Sequence, residues 1–433
     1  MEQTRQENSM RAIGVLLLVI VVAGPLIGVA AASLSLLLEM TQHVMLGGVE
    51  SVAHPEGVSL PIRRVVSILV ASFVAAVIWW LIRRRHTIPS VGQAVHGKSM
   101  PVLASLVHII AQIFIVGSGL SIGRETAPRE LGALIGQKLS GLLRVSTQDM
   151  ALITACCAGA GFAGVYDAPL AGMFFAVEML LVDVSIRTVG VALGTSVIAA
   201  FSASLIRGNA AFYHIDPIVV SPRLIAMCMI IGPIMGVFGY FFRRGTSWAS
   251  QHQTRSIHIL WQLPLVGTIT AAIAFYLPQI MGNGRGLAQT AYNAKNHTVI
   301  ILLLVLAVLK TVITIATVKS GASGGVLTPA IAAGGAIGAV IAICATPFLP
   351  GLSISVVALI ASAAFLATSQ KAPLMASCLM IELSHSSVHA LVAVGTAVAL
   401  SVLVSHTLTA FSVSEICANC ATGERGQTNA VIS

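Results

Sequence analysis

Charged residues are scarce in this chain. Only 9% of its 433 residues are Asp, Glu, Lys or Arg, whereas 56% are hydrophobic. An ordinary soluble domain has about 25% charged residues. This scarcity excludes a globular fold with a solvated polar surface and indicates a polytopic membrane protein.

Residues that could form a metal site or a catalytic pair are also few. The seven cysteines are mostly isolated in apolar segments, where a free thiol behaves as a small hydrophobe. The Cys417-x-x-Cys420 motif has no second pair and no histidine partner, so we expect no metal. An enzyme using a serine with His108 or His406 would need a nucleophile and a base at matched positions, which the sequence lacks. We expect no enzymatic activity, no cofactor and no nucleic-acid partner.

Long uncharged runs predict membrane-spanning helices. A helix needs about 18 or more apolar residues to cross the bilayer, and Ala12 to Leu38, Val65 to Ile82 and Leu224 to Phe242 meet this criterion. Further apolar blocks occupy residues 259–281, 299–318, 329–346, 352–368 and 390–411. The first run is too long for a signal peptide, so we expect it to remain as a membrane helix. The net charge of +9 comes mostly from arginines at segment edges, as the positive-inside rule predicts.

A cluster of charged residues interrupts one apolar stretch. The strip VGSGLSIGRETAPRELGALIG, residues 116–136, contains Arg124, Glu125, Arg129 and Glu130. Charged side chains are costly in hydrocarbon, so such a cluster inside a membrane-grade segment predicts a functional site.

The order of motifs in the first half of the chain recurs in the second half. GRETAP, residues 123–128, corresponds to GGVLTP, residues 324–329. Each is followed by an Ala-Pro-Leu unit, which contains Pro169 in one case and Pro373 in the other. Two homologous halves are the economical explanation.

A glutamate follows each Ala-Pro-Leu unit and extends the repeat. Glu178 and Glu382 each lie nine residues beyond the proline of their unit. The predicted division of the single transmembrane domain is a first repeat at about 12–207, a linker at 208–221, a second repeat at about 222–416 and a polar tail at 417–433. We expect no regulatory domain after this tail.

Glycine breaks at corresponding positions of two halves are typical of a transporter binding site at the middle of the membrane. A helix that begins at such a break leaves its first amides unpaired and concentrates positive potential there. We therefore expect the helix starts at Gly123 and Gly325 to converge and to form a backbone cradle for a small anion. Glu125 is then either a gate that competes with the permeating ion or only an acidic residue at a helix start.

The segments that carry these motifs resemble the signature regions of the CLC chloride channels and transporters. They are GRETAP, AGVYDAPLAGMFFAVEM, GASGGVLTPAIAAGGAIG and ATSQKAPLMASCLMIELS, and the resemblance runs from about Gly14 to about Ser412. It implies an all-α polytopic fold of two inverted repeats of tilted and broken helices. It also implies a homodimer with one pore in each subunit, chloride or a similar monovalent anion as substrate, contact with membrane lipid, and a multi-pass location in the bacterial inner membrane.

The resemblance assigns roles to individual residues. GRETAP stands where the family has GREGP, so Glu125 aligns with the family's gating glutamate. GGVLTP stands where the family has GxFxP, so the amides of Val326 and Leu327 would face the central anion. The anion-binding residues that the resemblance implies are Gly123, Arg124, Glu125, Gly325, Val326 and Leu327.

Two family features are missing from this sequence. The pore serine of the family's GSGIP loop falls on His86 in RRRHTIP, and we interpret this segment as the cap of the preceding helix at the cytoplasmic edge rather than as a titratable pore residue. The family's tyrosine near the last helix has no counterpart in HTLTAFSVSEI, residues 406–416. Chloride, nitrate and fluoride all remain open as substrates.

The family's proton pathway is also altered. In the exchangers of the family, the Ala-Pro-Leu helix tends to end in two adjacent glutamates, and the second relays protons. An ungapped match puts Glu178 at the first position and Met179 at the second. A thioether cannot exchange a proton, so we expect a passive anion channel. The alternative is a proton-coupled antiporter of chloride or fluoride, in which Glu178 or a water chain substitutes.

Three further interpretations concern residues near these motifs and the class of protein. We expect Glu382 to brace the Ala-Pro-Leu helices and Asp167 to be a helix N-cap.

A cation-coupled solute carrier also uses broken helices, and an anion-specific flux that depends on Glu125 would separate it from a CLC-type pathway.

Overall fold

The chain folds almost entirely into helices. The computed structural model describes residues 13–49 and 59–421, with side chains up to residue 411. These ranges contain sixteen α-helices and no strand longer than an isolated bridge.

The helices divide evenly between the two halves of the chain. In the first half they are α1 (Gly24–Leu46), α2 (Pro61–Arg85), α3 (Val91–Val95), α4 (Val102–Gly117), α5 (Thr126–Leu143), α6 (Thr147–Tyr166), α7 (Pro169–Phe174) and α8 (Ile186–Arg207). In the second half they are α9 (Pro222–Gln251), α10 (Ile259–Tyr276), α11 (Arg285–Tyr292), α12 (Ile300–Lys319), α13 (Leu327–Ala345), α14 (Ile354–Gln370), α15 (Pro373–Leu383) and α16 (Ala390–Ala421). Residues 208–221, between α8 and α9, are outside any helix.

Two helices contain π-helical turns. The helical segment that includes α1 starts at Ile13 and passes through such a turn at Val19–Ala23. Helix α7 continues into another at Phe175–Leu181, which contains Glu178. Turns of this kind occur often at functional sites because they redirect side chains within a helix.

The predicted membrane spans are confirmed. Nine helices in the described ranges are long and apolar enough to cross a membrane, and the described parts of the three long uncharged runs fall within three of them. The apolar windows of α6 and α13 are 83% and 78% buried inside the protein, whereas those of α10, α12 and α16 are only 33% buried. Helices α6 and α13 therefore form the interior, and the others turn apolar side chains towards lipid.

The packing partners of the first half recur in the second. Helix α1 packs on α8 as α9 packs on α16, and α5 packs on α6 as α13 packs on α14. The contacts of α4 with α5 and of α6 with α7 have counterparts in those of α12 with α13 and of α14 with α15. Helix α2 packs on α10 and α7 packs on α15, so equivalent helices of the two halves meet each other.

Close backbone packing fixes the start of α5. A Cβ atom added at Gly161 of α6 would lie 2.1 Å from the carbonyl oxygen of Pro128, and one added at Gly132 would lie 2.1 Å from the carbonyl oxygen of Cys157. Small residues let membrane helices approach this closely, and the close packing compensates for the weak hydrophobic effect in lipid. The segment that follows Glu125 is therefore held rigidly against α6.

The prediction that Asp167 is an N-cap is wrong. Asp167 ends α6 in a left-handed conformation, with φ at 52°, and its backbone N–H donates to the carbonyl of Ala163. Lys371 ends α14 in the same way, with φ at 54°. The residue before each Pro-Leu pair, Ala168 or Ala372, then starts the next helix without a side-chain cap. A sequence pattern of Asp before a proline helix does not reveal that the preceding helix ends only one residue earlier.

Candidate functional site

The two glycine breaks meet at the centre of the protein. The Gly123 amide donates to the carbonyl of Gly325 at 2.6 Å, and the Gly325 amide donates to the carbonyl of Gly123 at 2.9 Å. Helix α5 begins three residues after Gly123, and α13 begins two residues after Gly325. This reciprocal bridge brings two helix N-termini together, so unpaired amides and the positive ends of two helix dipoles converge there.

The Glu125 carboxylate occupies this convergence. Its Oε1 accepts a hydrogen bond from the Leu327 amide at 2.7 Å, and its Oε2 accepts one from the Thr328 hydroxyl at 3.2 Å. Glu125 has no exposed surface. A carboxylate therefore binds donors that could also bind a small anion.

The absence of side chains at the two glycines makes room for Glu125. A Cβ atom added at Gly325 would lie 1.8 Å from Oε1, and one added at Gly123 would lie 2.3 Å from Oε2. Val326, between Gly325 and α13, is the N-cap of that helix. The two glycines therefore contact each other through their backbones and leave space for the Glu125 carboxylate.

A pair of hydroxyl groups, which our interpretation of the sequence does not include, completes the surroundings of Glu125. The Tyr166 hydroxyl, at the end of α6, lies 2.8 Å from the Thr328 hydroxyl, and both residues are buried. Thr328 donates its single hydroxyl hydrogen to Glu125, so Tyr166 donates to Thr328. Thr328 could have been found from the sequence, since it follows Leu327 in the GGVLTP motif. Tyr166 could not, because only the fold brings it next to Thr328.

The two arginines of the cluster lie against aromatic rings. The Arg124 guanidinium lies 4.9 Å from the ring centre of Phe212 and 5.3 Å from that of Tyr166. The Arg129 guanidinium lies 4.9 Å from the ring centre of Phe175 and donates to the Glu125 carbonyl at 2.9 Å. Aromatic faces stabilise a buried cation. Arg124 thus contributes positive potential beside Tyr166, and Arg129 fixes the first turn of α5.

The fourth charged residue of the cluster, Glu130, contacts α4. Gln112 donates to its Oε2 at 2.6 Å, and His108 Nε2 lies 3.6 Å from the same oxygen. All three side chains are at least nine-tenths buried. The charged strip therefore contains two carboxylates with different surroundings, one in the amide cradle and one beside a histidine.

The glutamates of the two Ala-Pro-Leu units cap each other's helices. Glu178 accepts hydrogen bonds from the amides of Leu374 and Met375 at 3.1 and 2.9 Å, at the start of α15. Glu382 accepts them from the first amides of α7, at 2.8 and 2.9 Å. The bracing role expected for Glu382 is confirmed, and Glu178 has the same contacts. These carboxylates replace the cap that was assigned to Asp167.

A cavity of about 860 Å³ reaches the start of α5 from one side of the protein. Thr126 and Glu130 of α5 line it, together with His108 of α4. Four cationic or histidine side chains also line it, namely Arg83, His86, Lys98 and Arg255. The positive-inside rule and the three arginines at the end of α2 predict that this side is cytoplasmic.

His86 caps the end of α2, as expected, and its side chain also lines the cavity. Its backbone N–H donates to the carbonyl of Ile82 at 2.8 Å, and its side chain is exposed in this cavity. Cys417 and Cys420 fall in the last turns of α16, where the described part of the structure includes no side chains. The roles assigned to individual site residues remain predictions.

The helical fold and the paired glycine starts define a polytopic membrane protein of two structural repeats. A model of the family described as "Voltage gated chloride channel" matches residues 71–406. The chain belongs to this family, and the all-α polytopic fold predicted from its motifs is confirmed.

The chain matches curated bacterial relatives over about half of the relatives' own length. A protein of Shigella boydii named voltage-gated ClC-type chloride channel ClcB is 30% identical over 203 residues, which cover 46% of this chain and 48% of the relative. A protein of the same name from Citrobacter koseri is 32% identical over 190 residues, which cover 43% and 45%. The multi-pass inner-membrane location inferred from the sequence agrees with these bacterial relatives and with the nine candidate spans.

Solved structures share the fold over nearly the whole chain. A slow cyanobacterial Cl⁻/H⁺ antiporter superposes with a TM-score of 0.78 at 22% identity, covering 91% of this chain and 95% of that one. A CLC-type fluoride/proton antiporter gives a TM-score of 0.67 at 21% identity, with the same coverage.

Proposed function

We propose that this protein is a CLC-type transporter that exchanges chloride or a similar monovalent anion for protons, with Glu125 as its gate. The observation that carries the proposal is the hydrogen bond from the Leu327 amide to the Glu125 carboxylate at 2.7 Å. A permeating anion would use the same amide, so the ion and the ionised carboxylate compete for one site.

Competition for one site links anion movement to protonation. An anion can take the cradle only when the carboxylate leaves it, and protonation favours this because a neutral carboxyl is a weaker ligand for the amides. The departing side chain then carries a proton as the anion enters. A backbone cradle without a fixed full charge also suits an ion that must leave again.

The comparisons favour antiport over the passive channel that Met179 predicts. Two of the solved structures with this fold are described as proton antiporters, one of chloride and one of fluoride. The chain nevertheless has a thioether at the position of the second glutamate, and the Glu178 carboxylate is engaged by two amides. Antiport therefore requires a different proton acceptor on the cytoplasmic side.

The proposed assembly is a homodimer in lipid with one pathway in each subunit. Helices α7 and α15 pack on each other, and their Leu170 and Leu374 side chains are 43% and 52% exposed. Apolar residues exposed at the junction of the two repeats are suited to a second copy or to lipid. Cross-linking in membranes between cysteines introduced at these two positions would detect the second copy.

Anion efflux from liposomes, with pH recorded at the same time, tests the proposed function. When no pH gradient is imposed, chloride efflux should drive protons into the vesicles. The Glu125→Gln variant should conduct anions without moving protons. Efflux of chloride without proton movement in the wild-type protein would contradict antiport. Replacing chloride with fluoride or nitrate in the same assay would identify the preferred anion.

A further inference from the structure

We propose that Glu130, held by Gln112 and faced by His108, is the cytoplasmic proton-exchange site of this protein. The inference rests on the proposed antiport function. It assigns to Glu130 the task of taking protons from the cytoplasmic cavity and passing them towards Glu125, in place of the relay that Met179 cannot provide.

The position of Glu130 gives it access to both the cavity and the gate. Glu130 lies five residues after Glu125, and this separation corresponds to about 7.5 Å along a helix axis. Thr126, one turn before Glu130, lines the same cavity. Water in the cavity can therefore reach the first turn of α5, next to the fully buried gate.

The contacts of Glu130 suit proton exchange. Gln112 is neutral and 1% exposed, and it holds Oε2 of Glu130 in place through a hydrogen bond of 2.6 Å. His108 Nε2 lies 3.6 Å from the same oxygen. Histidine and glutamate can both gain and lose a proton, whereas an arginine cannot. The pair thus offers two exchangeable groups at the wall of the cavity.

The charges around Glu130 come from several elements. His108 faces it from α4, and Arg129 precedes it on α5. The cationic and histidine side chains of the cavity wall are Arg83, His86, Lys98 and Arg255. A cavity rich in positive charge attracts anions. Glu130 therefore places a carboxylate in a cavity through which the anion and the proton would pass in opposite directions.

Neither Glu178 nor Glu382 combines these properties. Glu178 is bound at both oxygens by the amides of Leu374 and Met375, so it has a structural partner for each. Glu382 is bound in the same way by two amides of α7. Glu130 is the carboxylate that lines the cytoplasmic cavity, on the helix that begins beside the gate.

The test compares two carboxylate-to-amide substitutions in purified full-length protein in liposomes. Glu130→Gln keeps an oxygen that can accept from Gln112, and Glu178→Gln is the matched control. Chloride efflux and proton uptake are recorded together. We expect Glu130→Gln to retain chloride efflux and to lower proton uptake roughly a hundredfold, since an essential proton-transfer group contributes about that much. Glu178→Gln should keep the wild-type ratio of protons to chloride.

Additional variants separate proton exchange from a purely structural role. Glu130→Asp should restore part of the proton uptake, and His108→Gln should shift its pH dependence while leaving chloride efflux in place. If Glu130→Gln is poorly folded by size-exclusion chromatography, the Asp and His108 variants still decide the question. Full wild-type proton uptake in Glu130→Asp, together with an unchanged pH dependence in His108→Gln, would overturn the proposal.

The outcomes also separate this inference from the proposed function. Proton uptake at the wild-type ratio in Glu130→Gln, with coupling intact in the wild-type protein, would overturn the role of Glu130 alone. Loss of coupling in Glu178→Gln but not in Glu130→Gln would assign the relay to Glu178. A wild-type protein that moves chloride without protons would overturn antiport and this inference together.

Discussion

The two glycine helix starts have similar backbone geometry and different side chains. Gly123 and Gly325 exchange hydrogen bonds through their backbones, and a helix follows each of them. The first start carries the carboxylate of Glu125, whereas the second supplies the Leu327 amide and the Thr328 hydroxyl that bind it. In the proposed function, one repeat thus provides the gate and the other provides the cradle.

The Ala-Pro-Leu units show the opposite behaviour. Glu178 and Glu382 occupy equivalent positions and cap each other's helices with nearly equal geometry. Symmetry is retained where the two repeats hold each other, and it is lost where the ion would bind. In this chain, positions at which the two repeats differ therefore indicate function better than positions at which they agree.

The largest expected effect comes from removing the asymmetry between the two helix starts. Glu125→Gln replaces an ionisable gate with a neutral one, so anion flux should rise and lose its pH dependence, and proton movement should stop. Flux measured in liposomes over a range of pH checks this. A folded Glu125→Gln protein with unchanged flux and pH response would show that Glu125 is not the gate.

Filling the space at the second start is expected to have the next largest effect. Gly325→Ala places a Cβ atom 1.8 Å from the present position of Glu125 Oε1, and overpacking of this kind costs about 1–3 kcal/mol. Anion binding measured by calorimetry in a Glu125→Gln background should weaken accordingly. Gly395→Ala is the matched control, since a Cβ atom there would meet open space.

The symmetric units should respond equally to equivalent changes. Glu178→Ala and Glu382→Ala each leave two helix amides without their acceptor, so each should lower the free energy of unfolding by about 1–2 kcal/mol. Thermal unfolding in detergent measures both. A large loss in only one variant would break the proposed equivalence of the two caps.

The smallest effects are expected in the side chains around the cradle. Thr328→Val removes one hydroxyl donor to Glu125 and should weaken the hold on the carboxylate by about 0.5–1.5 kcal/mol. Tyr166→Phe should have a smaller effect because its hydroxyl acts through Thr328. Leu327→Phe keeps the amide and should leave anion binding unchanged. A Leu327→Phe effect larger than that of Gly325→Ala would argue against a backbone cradle.

Much of this arrangement could be predicted from the sequence because the motifs are local. The spans follow from apolar run length, and the helix starts follow from glycine and proline at fixed offsets. The repeat follows from the order of motifs, and it locates Gly123 and Gly325 as equivalent positions. The composition also predicts the membrane location, which the nine candidate spans support.

The remaining features depend on contacts between distant segments. The Tyr166 and Thr328 hydroxyls meet across 162 residues, and the Glu382 cap reaches α7 across more than 210. No local pattern links such pairs. Asp167 was misplaced for the same reason, because the acceptor that caps α7 comes from the other repeat.

The central claim is that anion and proton share one site at Glu125, and the reversal potential of the current through the wild-type protein tests it most directly. The chloride gradient is held fixed while a pH gradient is imposed across the membrane. Antiport predicts that the reversal potential shifts with the pH gradient and that Glu125→Gln abolishes the shift. A reversal potential that follows chloride alone at every pH gradient would contradict the account and identify a passive channel.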